Sequence, residues 1–458
     1  MAEELIISVS GLRGVVGESL TPDVARLYVA AFAETLPRGC VVVTRDGRAN
    51  GAQVLGPVLE GLSQGGDRIV LDAGIAATPT TGVLVRHHQC AGGVQISASH
   101  NPAQYNGLKL FSAEGRILPA QDGQAVLERY KLIAARSSAA DTEHPVSNIQ
   151  HLVNTEAAHL ALIEKIVDVA QIRARRFRVL LDANHGSGSV LGRPLLERLG
   201  CEVVDISGPP DGLFEHPPEP TADNLAGVLS DVTRAGADIG YCQDPDADRL
   251  AIIDEHGQYL GEEFTLALCV DHVLRRTPGP MVTNCSTSRM AEDLARKYGA
   301  PFSRSAVGEA NVVDEMLRRQ AVLGGEGNGG VIDPRVGLVR DSFVGMALVL
   351  DAMAARKLTV SALAAELPRY AIWKTKIQLD RDRVPAALDV LERHFQDARS
   401  DRLDGLRLDW QHADGSGSWL LVRGSNTEPI VRIIAEAPTL DEAQKLCDEA
   451  TGVIASVR

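Results

Sequence analysis

Residues 97 to 102 read Ser97-Ala98-Ser99-His100-Asn101-Pro102, placing a hydroxyl beside an imidazole in a stretch of turn-forming residues. A serine so placed can act as a nucleophile if its loop presents it to substrate. The preceding run AGGVQI has the apolar, β-branched composition of a buried strand. Ser99 is therefore predicted to project from a strand's carboxyl end, the mouth of an α/β sheet, where ligands bind. A serine in such a loop also commonly satisfies a turn or caps a helix, so the weight falls on what accompanies it.

A second loop reads Asp244-Pro245-Asp246-Ala247-Asp248-Arg249, between the strand-like runs ADIGYCQ and LAIID. Three carboxylates at alternating positions repel one another unless they converge on a hard cation. A calcium helix-loop-helix would place Glu255 at its twelfth position, but Arg249 stands where the sixth requires glycine, and the flanks are not helical. Magnesium held for phosphate chemistry fits better than that motif or a solvated acidic turn.

Two more loops carry polar groups. Gly324-Gly325-Glu326-Gly327-Asn328-Gly329-Gly330 surrounds one acid and one amide with glycines, which lets the backbone approach a ligand while Glu326 and Asn328 hydrogen-bond to hydroxyls. Arg423-Gly424-Ser425-Asn426-Thr427-Glu428-Pro429 follows the strand-like SWLLV and offers a guanidinium fork, two hydroxyls and an amide, the groups a phosphate dianion takes. Taken alone, a glycine-rich loop is more often just a turn, and the Arg423 loop is equally compatible with a plain polar connection between strands.

In this order and at these separations the four loops resemble those of the α-D-phosphohexomutase superfamily, which includes phosphoglucomutase, phosphomannomutase and phosphoglucosamine mutase. The resemblance runs from Ser10-Gly11-Leu12-Arg13-Gly14 to the Arg423 loop. It implies four domains around a central cleft: three consecutive α/β domains with mixed sheets and a C-terminal α+β (TBP-like) domain. It implies a phosphoserine at Ser99 and one Mg2+ per chain held by Ser99, Asp244, Asp246 and Asp248. Lys109, in Asn106-Gly107-Leu108-Lys109, becomes the candidate general base, its pKa lowered by burial and neighbouring cations. His100 positions phosphate or shares acid–base duty, Arg249 holds substrate or orients the metal loop, and Arg13 is an active-site arginine. Sugar contacts fall to Glu326, Asn328 and Gly308, and phosphate contacts to Arg423, Ser425, Asn426, Thr427 and Arg432. A hexose 1,6-bisphosphate serves as intermediate and activator. The chain departs from the usual pattern at Pro245 and Ala247, where glycines are common, and at Asn328 and Gly330, where better-known bacterial members carry serine and histidine. Asn426 leans towards phosphomannomutases and the Glu326–Asn328 pair towards an archaeal-type phosphoglucosamine mutase. Glucosamine phosphate is the expected substrate, with a dual mannose/glucose mutase as the alternative.

The elements that must position these loops are legible as pattern. Thr21 caps a helix with Pro22 in its first turn. The strand VVVT, a helical stretch to about Gly65, and the strand RIVLDAG follow. Alternating strand and helix predicts parallel pairing. We place domain boundaries at 1–150, 151–254, 255–367 and 368–458. An amphipathic stretch near 151 to 172 opens the second domain, and the proline-rich connection PPDGLFEHPPEP lies within it. The last domain opens on the alternating IWKTKIQLD and ends with the helix LDEAQKLCDEA.

At 458 residues the chain is long enough for three or four domains. Its net charge of −14 argues against nucleic acid as a partner. An anionic sugar phosphate is still admissible, because screening over about 8 Å leaves local groups to decide; Arg13, Lys109, Arg249, Arg423 and Arg432 supply them. The seven cysteines are dispersed without a Cys-x-x-Cys pair, predicting neither a disulfide framework nor a zinc site and fitting a reducing cytoplasm. No run approaches a membrane span, and the N-terminus lacks a signal pattern. A monomer or homodimer is expected. Outside the mutase class, a metal-dependent phosphatase needs no second phosphate loop, and a sugar-phosphate sensor needs neither Ser99 nor the aspartates.

Overall fold

A computed structural model describes residues 5–8, 11–64, 68–136, 148–413, 415–425 and 429–455. Its strands form four sheets. The first contains β1 (Ile6–Ser8), β2 (Gly11–Val15), β3 (Val41–Arg45), β4 (Val70–Ile75), β5 (Gly92–Ile96), β6 (Tyr105–Ser112) and β7 (Ile149–His151), in the order β1-β2-β6-β5-β3-β4-β7. The second contains β8 (Arg178–Asp182), β9 (Glu202–Asp205), β10 (Ile239–Gln243) and β11 (Leu250–Asp254), ordered β11-β10-β8-β9. The third contains β12 (Met281–Asn284), β13 (Phe302–Ser305), β14 (Leu323–Glu326) and β15 (Gly330–Ile332), ordered β13-β12-β14-β15. The fourth, β16 (Ala371–Gln378), β17 (Arg399–Asp401), β18 (Leu406–Gln411), β19 (Gly417–Gly424) and β20 (Ile430–Ala437), is antiparallel throughout, in the order β16-β20-β19-β18-β17.

The first three sheets repeat one device. Each has a block of parallel strands, and each then adds an antiparallel strand: β6 beside β5, β11 beside β10 and β15 beside β14. The loop that makes each reversal carries a motif: residues 97–104 with Ser99, 244–249 with the aspartates, and 327–329 between Glu326 and Gly330. Placing chemistry at the carboxyl end of a parallel strand needs only this hairpin.

The local sequence explains most elements. Thr21 accepts a hydrogen bond from Val24 N–H and opens the helix Pro22–Thr35, as its sequence predicts. The helix Ser342–Arg356 is buried on nearly every face. It is apolar all round because it lies in one continuous core shared by the second and third sheets, which includes Leu181, Ile252, Leu266 and Phe343. The amphipathic stretch expected near 151–172 is instead two short helices, Ala157–Ile163 and Val169–Arg175, preceded by β7, which joins the first sheet. No helix among the described residues is long and apolar enough to cross a membrane.

The cysteine expectation is corrected at one pair. Cys40 and Cys90 form a disulfide with their Cα atoms 4.7 Å apart. They precede β3 and β5, whose parallel pairing aligns Val41 with Gly92. A separation of 50 residues hides in sequence what strand register makes adjacent.

One buried arginine fixes the Ser99 loop. Arg48, only 1% exposed, donates to the carbonyls of Ser99 (2.6 Å), Asn101 (2.5 Å), Pro102 (2.7 Å) and Tyr105 (3.1 Å), and to Asp46 Oδ2 (3.1 Å). Phe214, from the proline-rich connection, covers its guanidinium with the ring centroid 5.1 Å away. Burial pushes the Asp46 carboxyl up to about 6, and the Arg48 charge limits that rise. Arg48→Met strands Asp46 and four loop carbonyls, so an equilibrium urea titration should show a loss of about 3–5 kcal/mol. An unchanged stability would mean the loop is held by other groups.

Candidate active site

The aspartate loop closes as a tight turn, with Ala247 N–H donating to the Asp244 carbonyl (2.9 Å). Asp244 Oδ1 accepts the N–H groups of Asp248 (3.1 Å) and Arg249 (3.0 Å). Ala247 takes φ +54°, a left-handed conformation that costs a non-glycine residue roughly 1–2 kcal/mol. All three aspartates are fully buried, and each offers a carboxylate oxygen within 4.8 Å of the others'. Burial and the charges of Asp248 and Asp246 push the Asp244 carboxyl well above its usual range. Burial also opposes charge on Asp246 and Asp248, but Lys109 holds the first below its ordinary value, and Arg340, Lys109 and Arg249 do the same for the second. Asp246 Oδ1 and Asp248 Oδ1 are buried without a hydrogen-bond partner. Unpartnered hard oxygens converging from one turn are the donor set of a divalent cation, so these residues fit magnesium.

Ser99 faces this loop. Its Oγ donates to Asp244 Oδ2 (3.0 Å), and Ser97 Oγ accepts its N–H (2.9 Å), holding it at φ +51° in the left-handed region. Such strain is stored where the surroundings over-determine it. His100 Nδ1 lies 3.3 Å from Ser99 Oγ. Burial, then Arg249 and Arg13, pull the imidazole down to about 3, so it is neutral near pH 7. Arg13, on β2, donates to Asn101 Oδ1 (3.2 Å) in the same loop.

Lys109 corrects an expectation. Its ammonium donates to Asp246 Oδ2 (2.5 Å) and Asp248 Oδ2 (2.9 Å). Burial disfavours its charge, but the two carboxylates outweigh that and raise its pKa above the ordinary lysine value, rather than lowering it as neighbouring cations would. Arg249 Nη1 reaches Glu219 Oε1 (3.3 Å), which lies 3.9 Å from His100 Nε2, so the proline-rich connection ends against both active loops.

The glycine-rich loop is seated on the metal loop. Gly329 N–Cα–C backbone sits so close that a Cβ would fall 2.4 Å from the Leu250 carbonyl, and its φ of +86° also requires glycine. Glu326 Oε1 accepts from Asn284 Nδ2 (2.7 Å) and Gly308 N–H (3.2 Å), and its Oε2 from Arg340 Nη1 (2.7 Å). Asn328 Oδ1 is buried without a partner, an acceptor available to a sugar hydroxyl or amine. On the fourth sheet, strand register sets Arg423 opposite Arg432, and Arg432 opposite Lys376. Three cations therefore share one face. Arg423 Nε donates to Asp404 Oδ1 (3.2 Å), while Asp404 Oδ2 accepts Val307 N–H (3.0 Å), linking this row to the Gly308 turn. Ser425 N–H donates to the Ile430 carbonyl (2.9 Å); Asn426 and Thr427 lie outside the described residues.

Ser99, His100, Lys109, Arg13, Arg249 and the aspartates thus meet in one cluster, and Glu326 joins it through Arg340, whose Nη2 donates to Asp248 Oδ2 (2.7 Å). Sequence reasoning missed Arg340, Lys376, Glu219 and Thr78, whose hydroxyl donates to Asp246. Only Lys376 carried a signal, as a lysine in an alternating strand.

Comparison with known proteins accounts for the arrangement. Residues 5–137, 157–257 and 262–370 match phosphoglucomutase/phosphomannomutase α/β/α domains I, II and III, and residues 376–453 match its C-terminal domain. A Thermococcus kodakarensis protein named phosphoglucomutase/phosphomannomutase is 36% identical over 444 residues, 95% of each chain. A Methanopyrus kandleri protein named probable phosphoglucosamine mutase is 31% identical over 451 residues, 97% of this chain and 96% of that one. The crystal structure of a Burkholderia thailandensis phosphoglucomutase/phosphomannomutase family protein superposes with a TM-score of 0.80 at 25% identity, covering 99% of this chain and 98% of that chain. The chain belongs to the phosphoglucomutase/phosphomannomutase family of the α-D-phosphohexomutase superfamily, isomerases that move phosphate within a sugar.

Proposed function

We propose that the protein interconverts hexose 6-phosphate and hexose 1-phosphate through a phosphate carried on Ser99, with glucosamine phosphate as the substrate. The observation that supports it most is the apposition of a buried serine hydroxyl to three buried aspartates from another sheet. Asp244, Asp246 and Asp248, with the Ser99 phosphate, would hold magnesium, which supplies positive charge to a loose phosphoryl transfer.

The chain's own groups do the rest. A hydroxyl of the bound sugar phosphate attacks phosphorus; the bond to Ser99 Oγ breaks as the new ester forms, giving a bisphosphorylated sugar. After this intermediate reorients, Ser99 Oγ attacks its other phosphate and regains the ester. In each transfer the attacking hydroxyl gives up a proton and the departing oxygen takes one up, Ser99 Oγ in the first and the sugar oxygen in the second. His100 Nδ1, 3.3 Å from Ser99 Oγ, is placed to exchange a proton with that oxygen. Lys109, gripped by Asp246 and Asp248, serves as a cation beside the transferring group and becomes a base only when those carboxylates release it. Arg13 and Arg249 border the Ser99 phosphate, Glu326, Asn328 and Gly308 orient the sugar, and Arg423, Arg432, Ser425, Asn426 and Thr427 hold the phosphate that is not reacting. Asn328 Oδ1 suits a donor such as an amine. The 36% identity to a phosphoglucomutase/phosphomannomutase supports dual mannose/glucose specificity as the second reading.

Ser99→Ala should lower interconversion by at least about 1000-fold, some 4 kcal/mol of barrier, and intact mass should lose one phosphate; undiminished turnover would refute the covalent route. Side-by-side turnover of glucosamine, mannose and glucose 6-phosphates decides the sugar, with glucosamine expected to lead. Because the cation binds only the folded triad, Mg2+ at 100 times its Kd should stabilise the protein by about 2.7 kcal/mol, seen as a rise in Tm that Asp246→Asn abolishes. A Tm indifferent to Mg2+ would contradict the metal assignment.

A further inference from the structure

Arg340 is nearly buried, and every edge of its guanidinium meets a carboxylate from a different loop. Nη2 donates to Asp248 Oδ2 of the aspartate loop (2.7 Å), Nη1 to Glu326 Oε2 of the glycine-rich loop (2.7 Å), and Nε to Glu309 Oε2 of the helix that Gly308 opens (3.1 Å). Its backbone N–H also donates to Glu309 Oε1 (3.2 Å). Room for the side chain is made by Gly330, where a Cβ would fall 2.3 Å from Arg340 Cδ. The backbone is pinned as well. Asp341 caps the buried helix through Phe343 and Val344 N–H, and its Oδ2 meets His159 Nε2 (2.7 Å). His159 Nδ1 meets Thr80 Oγ1 (3.0 Å), on the same helix as Thr78, the donor to Asp246. Arg340 is thus set in a frame that touches the aspartate loop from both sides.

We propose that Arg340 is a positioning residue that couples sugar recognition to the metal loop: its planar fork fixes Glu326 relative to Asp248, and its charge competes with the divalent cation for Asp248. The inference rests on the reading of Glu326 as a sugar ligand and of the aspartates as cation ligands. A guanidinium can hold two carboxylates in a fixed mutual geometry, which an ammonium, a point charge on a flexible stem, cannot. A buried ion-pair network kept only for stability would lose metal affinity, turnover and stability together when broken.

The full chain is compared with its Arg340→Lys and Arg340→Met variants by Mg2+ titration calorimetry on dephosphorylated protein and by steady-state turnover of the preferred hexose phosphate. Arg340→Met removes the competing cation, so Mg2+ should bind about 5-fold or more tightly. Arg340→Lys keeps the charge and should bind Mg2+ within about threefold of the parent. Both should lose about 100-fold in kcat from misplacement of the sugar, a larger change than in KM. Weaker Mg2+ binding by Arg340→Met, in step with a falling kcat, overturns the proposal, as does full turnover by Arg340→Lys. Should Arg340→Met fail to fold, unaltered Mg2+ binding with depressed kcat in Arg340→Lys carries the test. If the parent itself interconverts no hexose phosphate, the functional reading fails, and tighter or weaker Mg2+ binding by Arg340→Met still decides whether Arg340 competes for Asp248.

Discussion

Three aspartates on one turn, all withdrawn from water, are the constraint to which the rest of the site answers. With oxygens within 4.8 Å of one another, each pair of ionised groups repels by on the order of 3 kcal/mol at an effective dielectric near 20. Such a turn persists only among cations. Lys109 comes from the first sheet and Arg340 from beyond the third, and both end on the same oxygen, Asp248 Oδ2, while Asp244 relieves its charge by accepting from Ser99. Asp246 Oδ1 and Asp248 Oδ1 still lack a hydrogen-bond partner among the described residues. The charge that makes the loop costly in isolation also draws the nucleophile, a lysine and the sugar-loop arginine to one point.

The fold delivers those groups by repetition. In each of the first three sheets the chain leaves a parallel strand, turns, and returns antiparallel, and the turn carries the chemistry. A hairpin reversal is short and rigid, so side chains on it are placed by strand register. Cross-bracing between sheets then sets one turn against another: Leu250 N–H donates to the Gly329 carbonyl (3.1 Å), and Thr78 N–H to that of Asp246 (2.9 Å). Arg48 does the same within the first sheet by clasping four carbonyls of the Ser99 loop. Asp404 ties the fourth sheet to this array, touching both the Arg423 fork and the Gly308 turn.

What could be read from the chain alone was local. Ser99, the aspartates, Glu326 and Arg423 each announce themselves by a strand pattern running into a short polar loop, and the Thr21 cap by four consecutive residues. What escaped depends on contacts across the chain. Arg340 meets Asp248 across 92 positions and precedes an apolar helix, where it resembles an ordinary flanking charge. Lys109 looked like a lysine among cations, since nothing nearby in sequence reveals that Asp246 and Asp248 grip it; its pKa therefore shifts opposite to the expected sign. Cys40 and Cys90 become neighbours only through the register of β3 and β5. Arg48 gives no hint that it is buried, because its acceptors are carbonyls, which sequence does not display.

A single-turnover chase bears most directly on the proposed relay through Ser99. Protein carrying labelled phosphate on that serine, mixed with unlabelled hexose 1-phosphate and quenched at intervals, should pass its label to the sugar at the carbon opposite the existing ester, first as bisphosphate and then as hexose 6-phosphate. Label leaving as inorganic phosphate, or remaining on the protein while sugar isomerises, would contradict the account.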